Sequence, residues 1–160
     1  MLKNLKTDII YYNTNIDFEM EFKLGGCCRM RTLHDKCFDK KSLVLSLSRA
    51  VSRSNIIIVT APLFAPDNIT KTLAAAIGST AEIINNQSYR IKGEDEIEII
   101  KNSIPLITPQ GIYGGCLIQS GPQTLILLDD DKTVRNSIME NLIHHYVKEI
   151  FVCNLQKDEE

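Results

Sequence analysis

The stretch Asn55 to Thr60, NIIIVT, constrains this chain more than any other. Ile56 to Val59 is an unbroken β-branched run. A run without alternation has no side to turn toward water, so it reads as a strand covered on both faces, as in a parallel sheet. Parallel neighbours need crossover connections, usually helices. The residues that follow fit this requirement. A loop punctuated by Pro62 and Pro66 leads to an Asp67-Asn68 pair, and then to an Ala-rich helix that stops at Gly78, where a left-handed residue is common.

Strands alternate with helices through the middle of the chain, which gives an α/β layered fold. Thr7 to Tyr12 reads as the first strand. Ile16, Phe18, Met20, Phe22 and Leu24 alternate with polar residues, which argues for a half-buried strand turning at Gly25-Gly26. The same segment is rich in helix formers, so a short helix ending at Gly25 is the other reading. Asp39 is placed to cap a helix that puts Leu43, Leu47, Ala50 and Val51 on one face. Ala81 to Ile84 reads as a short strand, and the acidic start of GEDEIEIIKNSI suits a helix dipole. Pro105 and Pro109 bracket an extended loop. Ile112 to Gln119 and Thr124 to Leu128 read as strands joined by a turn at Ser120-Gly121-Pro122. From Thr133 onward, Val134, Ile138, Leu142, Tyr146 and Ile150 recur every four residues, which predicts a final helix before a polar tail at 156–160.

The totals bound the function. A length of 160 residues fits one domain spanning 1–160. The net charge of −2 and the scattered basic residues exclude a nucleic-acid-binding surface. No apolar run approaches the roughly 18 residues of a membrane span. Met1 to Asp8 leads into no long apolar core of a signal peptide. The chain is therefore expected in the cytoplasm. Its five cysteines are odd in number and lack C-x-x-C spacing, and they read as thiols, mostly buried, in a reducing compartment.

The segment IIIVTAPLFAPDNITKTLAAAIG resembles the molybdopterin-binding domain family, a MoaB/Mog-like fold, and within it the branch that includes CinA. Asp67, Asn68 and Thr70 match that family's acidic-polar-x-Thr sequence between strand and helix. Asn13-Thr14-Asn15, Asp35 and the late GIYGGCLIQSGPQTLILL hairpin fall in the family's order. The resemblance implies a three-layer α/β/α sandwich around a mostly parallel sheet, and a helix rather than a strand at 16–24. It also implies a molybdopterin or nucleotide-like phosphate ligand and a homo-oligomer, trimer or dimer. Two loops depart from the family. Thr60 to Pro66 stands where the family has glycines that bring backbone amides to a phosphate, and Pro62 and Pro66 donate no N–H. Leu128-Asp129-Asp130-Asp131-Lys132 stands where the family has Leu-Pro-Gly-x-Pro, and three carboxylates repel a phosphate unless a cation intervenes.

Asp67 and Asn68 have two compatible readings. Each is a good N-cap. Each also lies at the carboxyl end of a parallel strand, where open α/β sheets bind ligands. Asp67 offers a hard oxygen to Mg²⁺, and Thr70 and Lys71 add a hydroxyl and a positive charge. Asp129, Asp130 and Asp131 read as a helix-capping turn, or as a cation site shared with Asp67. Gly114 and Gly115, with Gly111, read as close strand packing or as a pocket lining. His34, Asp35 and Cys37 invite a Cys-His nucleophile, but nothing in the spacing brings their side chains together. His144-His145 are adjacent on a helix and point about 100° apart, a poor chelating pair.

The leading expectation is a small-molecule phosphate binder, for a pterin- or nucleotide-type ligand. Asp67, Asn68 and Thr70 hold the ligand, Gly114 and Gly115 line the pocket, and Asp67 places Mg²⁺. Two alternatives stand beside it. One is a non-catalytic assembly or regulatory subunit that keeps the fold and has lost the site. The other is a CinA-like, metal-dependent nucleotide pyrophosphate hydrolase.

Overall fold

The structure, a computed structural model, describes residues 5–21, 30–64, 69–85, 96–143 and 146. In chain order the elements are β1 (Leu5–Tyr12), β2 (Met30–Cys37), α1 (Lys40–Arg53), β3 (Ile56–Ala61), α2 (Thr70–Ala76), β4 (Ala81–Asn85), β5 (Glu96–Ile100), β6 (Ile104–Ile107), β7 (Tyr113–Ser120), β8 (Gln123–Asp129) and α3 (Lys132–Ile138). A π turn, Met139–Ile143, continues α3.

Six strands form one sheet in the order β2-β1-β3-β8-β7-β6. The first four are mutually parallel, and β7 and β6 add an antiparallel extension. β3, which contains the unbroken β-branched run, lies between β1 and β8, and all its residues are buried. One face of the sheet packs against α1, α2 and β5, around Ile10, Val59, Leu43, Leu73 and Ile99. The other packs against α3, the π turn and the segment after β1, around Ile9, Ile58, Ile126, Ile138 and Met20. This is the three-layer α/β/α arrangement, with a mostly parallel central sheet.

Local chemistry accounts for the helix ends. The Asp39 carboxylate accepts from Ser42 N at 2.7 Å and starts α1. α2 ends in a Schellman motif: Ser79 N donates to Ala74 O at 2.8 Å and Gly78 N to Ala75 O at 3.1 Å. Gly78 has φ +74°, so the stop signal read from sequence is borne out.

Several expectations are corrected. The turn expected at Gly25-Gly26 lies outside the described residues. Residues 19–21 are helical rather than strand, as the resemblance implied; Phe22 to Gly26 lie outside the described residues. The expected helix in GEDEIEIIKNSI is strand β5, paired antiparallel with β4. Ile97 and Ile99 point into the core while Glu96 stays exposed, so a two-residue period was present under the acidic composition. The expected loop at 105–109 begins as β6. Pro105 is tolerated there because β6 is an edge strand that can lose an N–H. His34, Asp35 and Cys37 lie on β2. Val51 is 45% exposed, being one residue and about 100° beyond buried Ala50. The four-residue stripe of the last helix breaks at the π turn: Met139 and Ile143 are buried, while Leu142 is 39% exposed. His144, His145 and Ile150 lie outside the described residues.

Candidate functional site at the carboxyl edge of the sheet

The chain leaves β1 toward β2 on one side and returns to β3 on the other. Loops diverge at such a switch point, and the crevice beyond the carboxyl ends of the strands is where open α/β sheets take ligands. Three connections meet at this edge: Asn13 onward after β1, Pro62 onward after β3, and Asp130 onward after β8.

Each connection is fixed by a specific contact. Asn13 adopts the left-handed conformation at φ 51°, and its N–H donates to Cys37 O at 3.0 Å. Both carboxylate oxygens of Asp17 are engaged. Oδ1 accepts from Glu19 N at 3.1 Å and Oδ2 from Arg135 Nη2 at 2.6 Å, which ties the segment after β1 to α3. After β3, Ala61 O accepts from Asp130 N at 3.1 Å, and Leu63 N donates to Asp129 Oδ1 at 3.1 Å.

Asp129 is the residue that sequence reasoning undervalued. It is 6% exposed, whereas the acidic triplet suggested a solvated turn. Burial pushes its carboxyl above the usual carboxylate value, against the Leu63 N–H, and Asp130 raises it further. The register pair Ala61 with Asp129 explains the placement: Asp129 is still a strand residue, and its side chain turns into the β3 loop. Asp131 does what the triplet suggested and caps α3, accepting from Val134 N at 3.0 Å. Among the described residues no group of three or more His, Cys, Asp or Glu is placed to hold a metal ion.

Leu63 is 7% exposed and belongs to the core under α1 and α2, while Phe64 is 53% exposed and meets Tyr113 edge-on at 6.3 Å. Burial pushes the Tyr113 hydroxyl well above the ordinary phenol value, with Cys116 and Asp129 adding to the shift. The loop after β3 thus begins as an apolar plug.

Asp67 and Asn68 lie outside the described residues. The cap position of α2 falls to Ile69, whose side chain makes no cap hydrogen bond. Thr70 opens α2 and is buried, and Lys71 is exposed and reaches Glu98 at 3.8 Å. Gly114 is the extra residue of a β-bulge, since Ile107 pairs with Tyr113 and Leu106 with Gly115. A Cβ at Gly114 would overlap Ile138 Cδ1 and stand 2.6 Å from Val134 Cγ1, so the glycine lets α3 sit down on β7. Gly115 has φ +146°, and a Cβ there would overlap the Leu127 carbonyl oxygen and stand 2.8 Å from its carbon.

On β2, His34 and Cys37 point to opposite faces. Cys37 Sγ lies 3.2 Å from Ser46 Oγ, which donates to Asp35 at 2.5 Å. Burial pushes the Cys37 thiol up, which suits an inert buried thiol. His34 Nδ1 lies 2.9 Å from the Tyr11 hydroxyl, and its Nε2 faces Glu21 at 3.0 Å. Tyr11 donates to Asp17 O at 2.9 Å, and burial pushes its hydroxyl up to about 12.

No protein-family model and no curated protein matches the sequence. Solved structures do match the fold. CinA from Thermoplasma acidophilum, a protein described as having unknown function, superposes with a TM-score of 0.66 at 15% identity, over 91% of this chain and 97% of that one. Molybdenum cofactor biosynthesis protein B superposes with a TM-score of 0.60 at 12% identity, over 95% and 96%. The molybdopterin biosynthesis enzyme MoaB from Thermus thermophilus gives 0.58 at 10%, over 92% and 96%. The chain has the MoaB/CinA-like fold.

Proposed function

We propose, from the fold shared with CinA and the MoaB proteins, that this chain is a molybdopterin-binding-like domain whose ligand is a pterin- or nucleotide-type phosphate. One observation carries the reading. The loops after β1, β3 and β8 converge at the topological switch point of a parallel sheet, and the Asp67-Asn68 pair falls in the same β3-to-α2 connection. In this reading Asp67, Asn68 and Thr70 hold the ligand, with Mg²⁺ drawn to Asp67 when phosphate is bound. The protein works in the cytoplasm as a homo-oligomer. If turnover survives, it is metal-dependent hydrolysis of a nucleotide pyrophosphate.

A specific observation favours a second reading, a non-catalytic assembly or regulatory subunit. Leu63 occupies the base of the β3 loop, and its N–H is held by Asp129 rather than offered to a phosphate.

A thermal-shift panel separates the two. It takes molybdopterin analogues, ATP, AMP, ADP-ribose and nicotinamide mononucleotide, each with and without Mg²⁺. A ligand at about 100 times its dissociation constant stabilises by about 2.7 kcal/mol. The binding reading expects such a shift in the wild type and its loss in Asp67→Ala. A flat panel refutes it and favours the subunit reading.

A further inference from the structure

The amino-terminal edge of the same strands carries a second concavity, far from the loops described above. It is a cavity of about 200 Å³ lined by Lys6 and Thr7 of β1, Arg31 and Leu33 of β2, Arg53 at the end of α1, and Ser54. Three of these six residues are cations, in a chain whose net charge is −2.

The charges are arranged against each other. Lys6 and Arg31 are register partners on adjacent parallel strands. Adjacent strands lie about 4.8 Å apart, and like charges directly opposite one another are destabilising. Both residues are exposed, and neither side chain has an ion-pair partner among the described residues. The nearby carboxylate, Asp8, is buried and already engaged. Its Oδ1 accepts from Arg53 Nη2 at 2.7 Å, and its Oδ2 from Arg53 Nε at 3.1 Å and from Ser54 Oγ at 2.5 Å. This two-point grip neutralises one cation and fixes the plane of the Arg53 guanidinium, which lines the cavity. Among the described residues, two positive charges are left uncompensated at this cavity.

We propose that this cavity binds a phosphate-type dianion, either inorganic phosphate or the head of a phosphomonoester. Two charges on the ligand match the two unpaired cations, and Arg53 adds a pre-oriented planar donor of the kind that suits phosphate. The volume is below the roughly 300–1,000 Å³ of sites for drug-sized ligands, so it accommodates a head group rather than a whole nucleotide. Three cations in a concavity also differ from the broad basic face that a membrane or a polyanion requires. The cavity lies at the opposite edge of the sheet from the loops that follow β1, β3 and β8.

The test is titration with inorganic phosphate, followed by calorimetry and melting temperature, against sodium chloride at matched ionic strength. Glycerol phosphate forms a parallel arm that distinguishes the two ligand sources. Wild type and the exposed helix control Arg49→Gln should bind saturably. The double variant Lys6→Gln/Arg31→Gln should lose at least tenfold in affinity. Without phosphate that variant should melt at or above the wild-type temperature, because a repulsion has been removed. Tighter binding of glycerol phosphate would assign the site to phosphomonoesters, and equal or weaker binding to free phosphate. An equal effect of chloride, unchanged binding in the double variant, or binding confined to anionic vesicles or polyglutamate would overturn the proposal. Loss of binding in Asp67→Ala with the double variant unaffected would move any phosphate site to the connection between β3 and α2 and refute this one.

Discussion

At Asp129 a carboxylate is held inside the fold by the amide of Leu63, and its raised pKa sets the sign of a pH effect. The folded protein keeps the Asp129 proton at pH values where the unfolded chain has lost it. Stability therefore falls as pH rises from about 3.8 through the raised value. Asparagine preserves the acceptor for Leu63 N–H and removes the titration. Asp129→Asn should match or exceed wild-type stability at neutral pH, with the advantage vanishing toward pH 4. Urea denaturation across that range checks it, and a variant less stable at pH 7 would contradict it. The two glycines of β7 make a contrasting pair. Alanine at Gly114 meets the flexible end of Ile138 and should cost about 1–3 kcal/mol. Alanine at Gly115 meets the Leu127 carbonyl from a left-handed backbone and should cost about 3 kcal/mol or more. Equal costs in denaturant melts would mean that β8 yields where the structure says it cannot.

Among the elements, those with one unambiguous period were legible. Ile56 to Val59 announced the buried central strand, and Asp39 and Gly78 marked helix ends that form as read. The failures have two causes, a period masked by composition and a period interrupted by an inserted residue. In Glu96–Ile100 the acidic residues suggested a helix dipole, yet the alternation of glutamate with isoleucine serves a strand with one face in the core. In α3 a single extra residue in the π turn moves the buried stripe from Ile138 to Met139 and Ile143, and no four-residue pattern anticipates that. This placement has a measurable consequence. Ile143→Ala should cost about 2–5 kcal/mol, as core truncations do, while Leu142→Ala should stay within about 0.5 kcal/mol. The reverse order in denaturation experiments would restore the uninterrupted helix.

For the whole molecule, the layered architecture was readable because a both-faces-buried strand flanked by helical segments leaves few ways to cover a sheet. The strand order was not, since nothing in the residues of β1 states that its neighbours come from positions 30 and 56. The site was half legible. The sequence pointed to the connection after β3 and to the acidic triplet. It did not show that Asp129 turns inward, which depends on a register across two distant strands. Nor did it single out Lys6, Arg31 and Arg53, which lie far apart in sequence and meet only through the parallel pairing of β1 with β2 and the return of α1.

That parallel pairing also sets a timetable for folding. β3 is hydrogen-bonded to β8 from Ile56 with Thr124 to Ala61 with Asp129, so the middle of the sheet is closed by a segment made well after β3 itself. α1 and the β7–β8 hairpin rest on local contacts and form early and quickly, whereas the central strands wait for loops of tens of residues to close. Until then the most apolar strand of the chain has an open edge. A newly made copy is most exposed to aggregation during that interval.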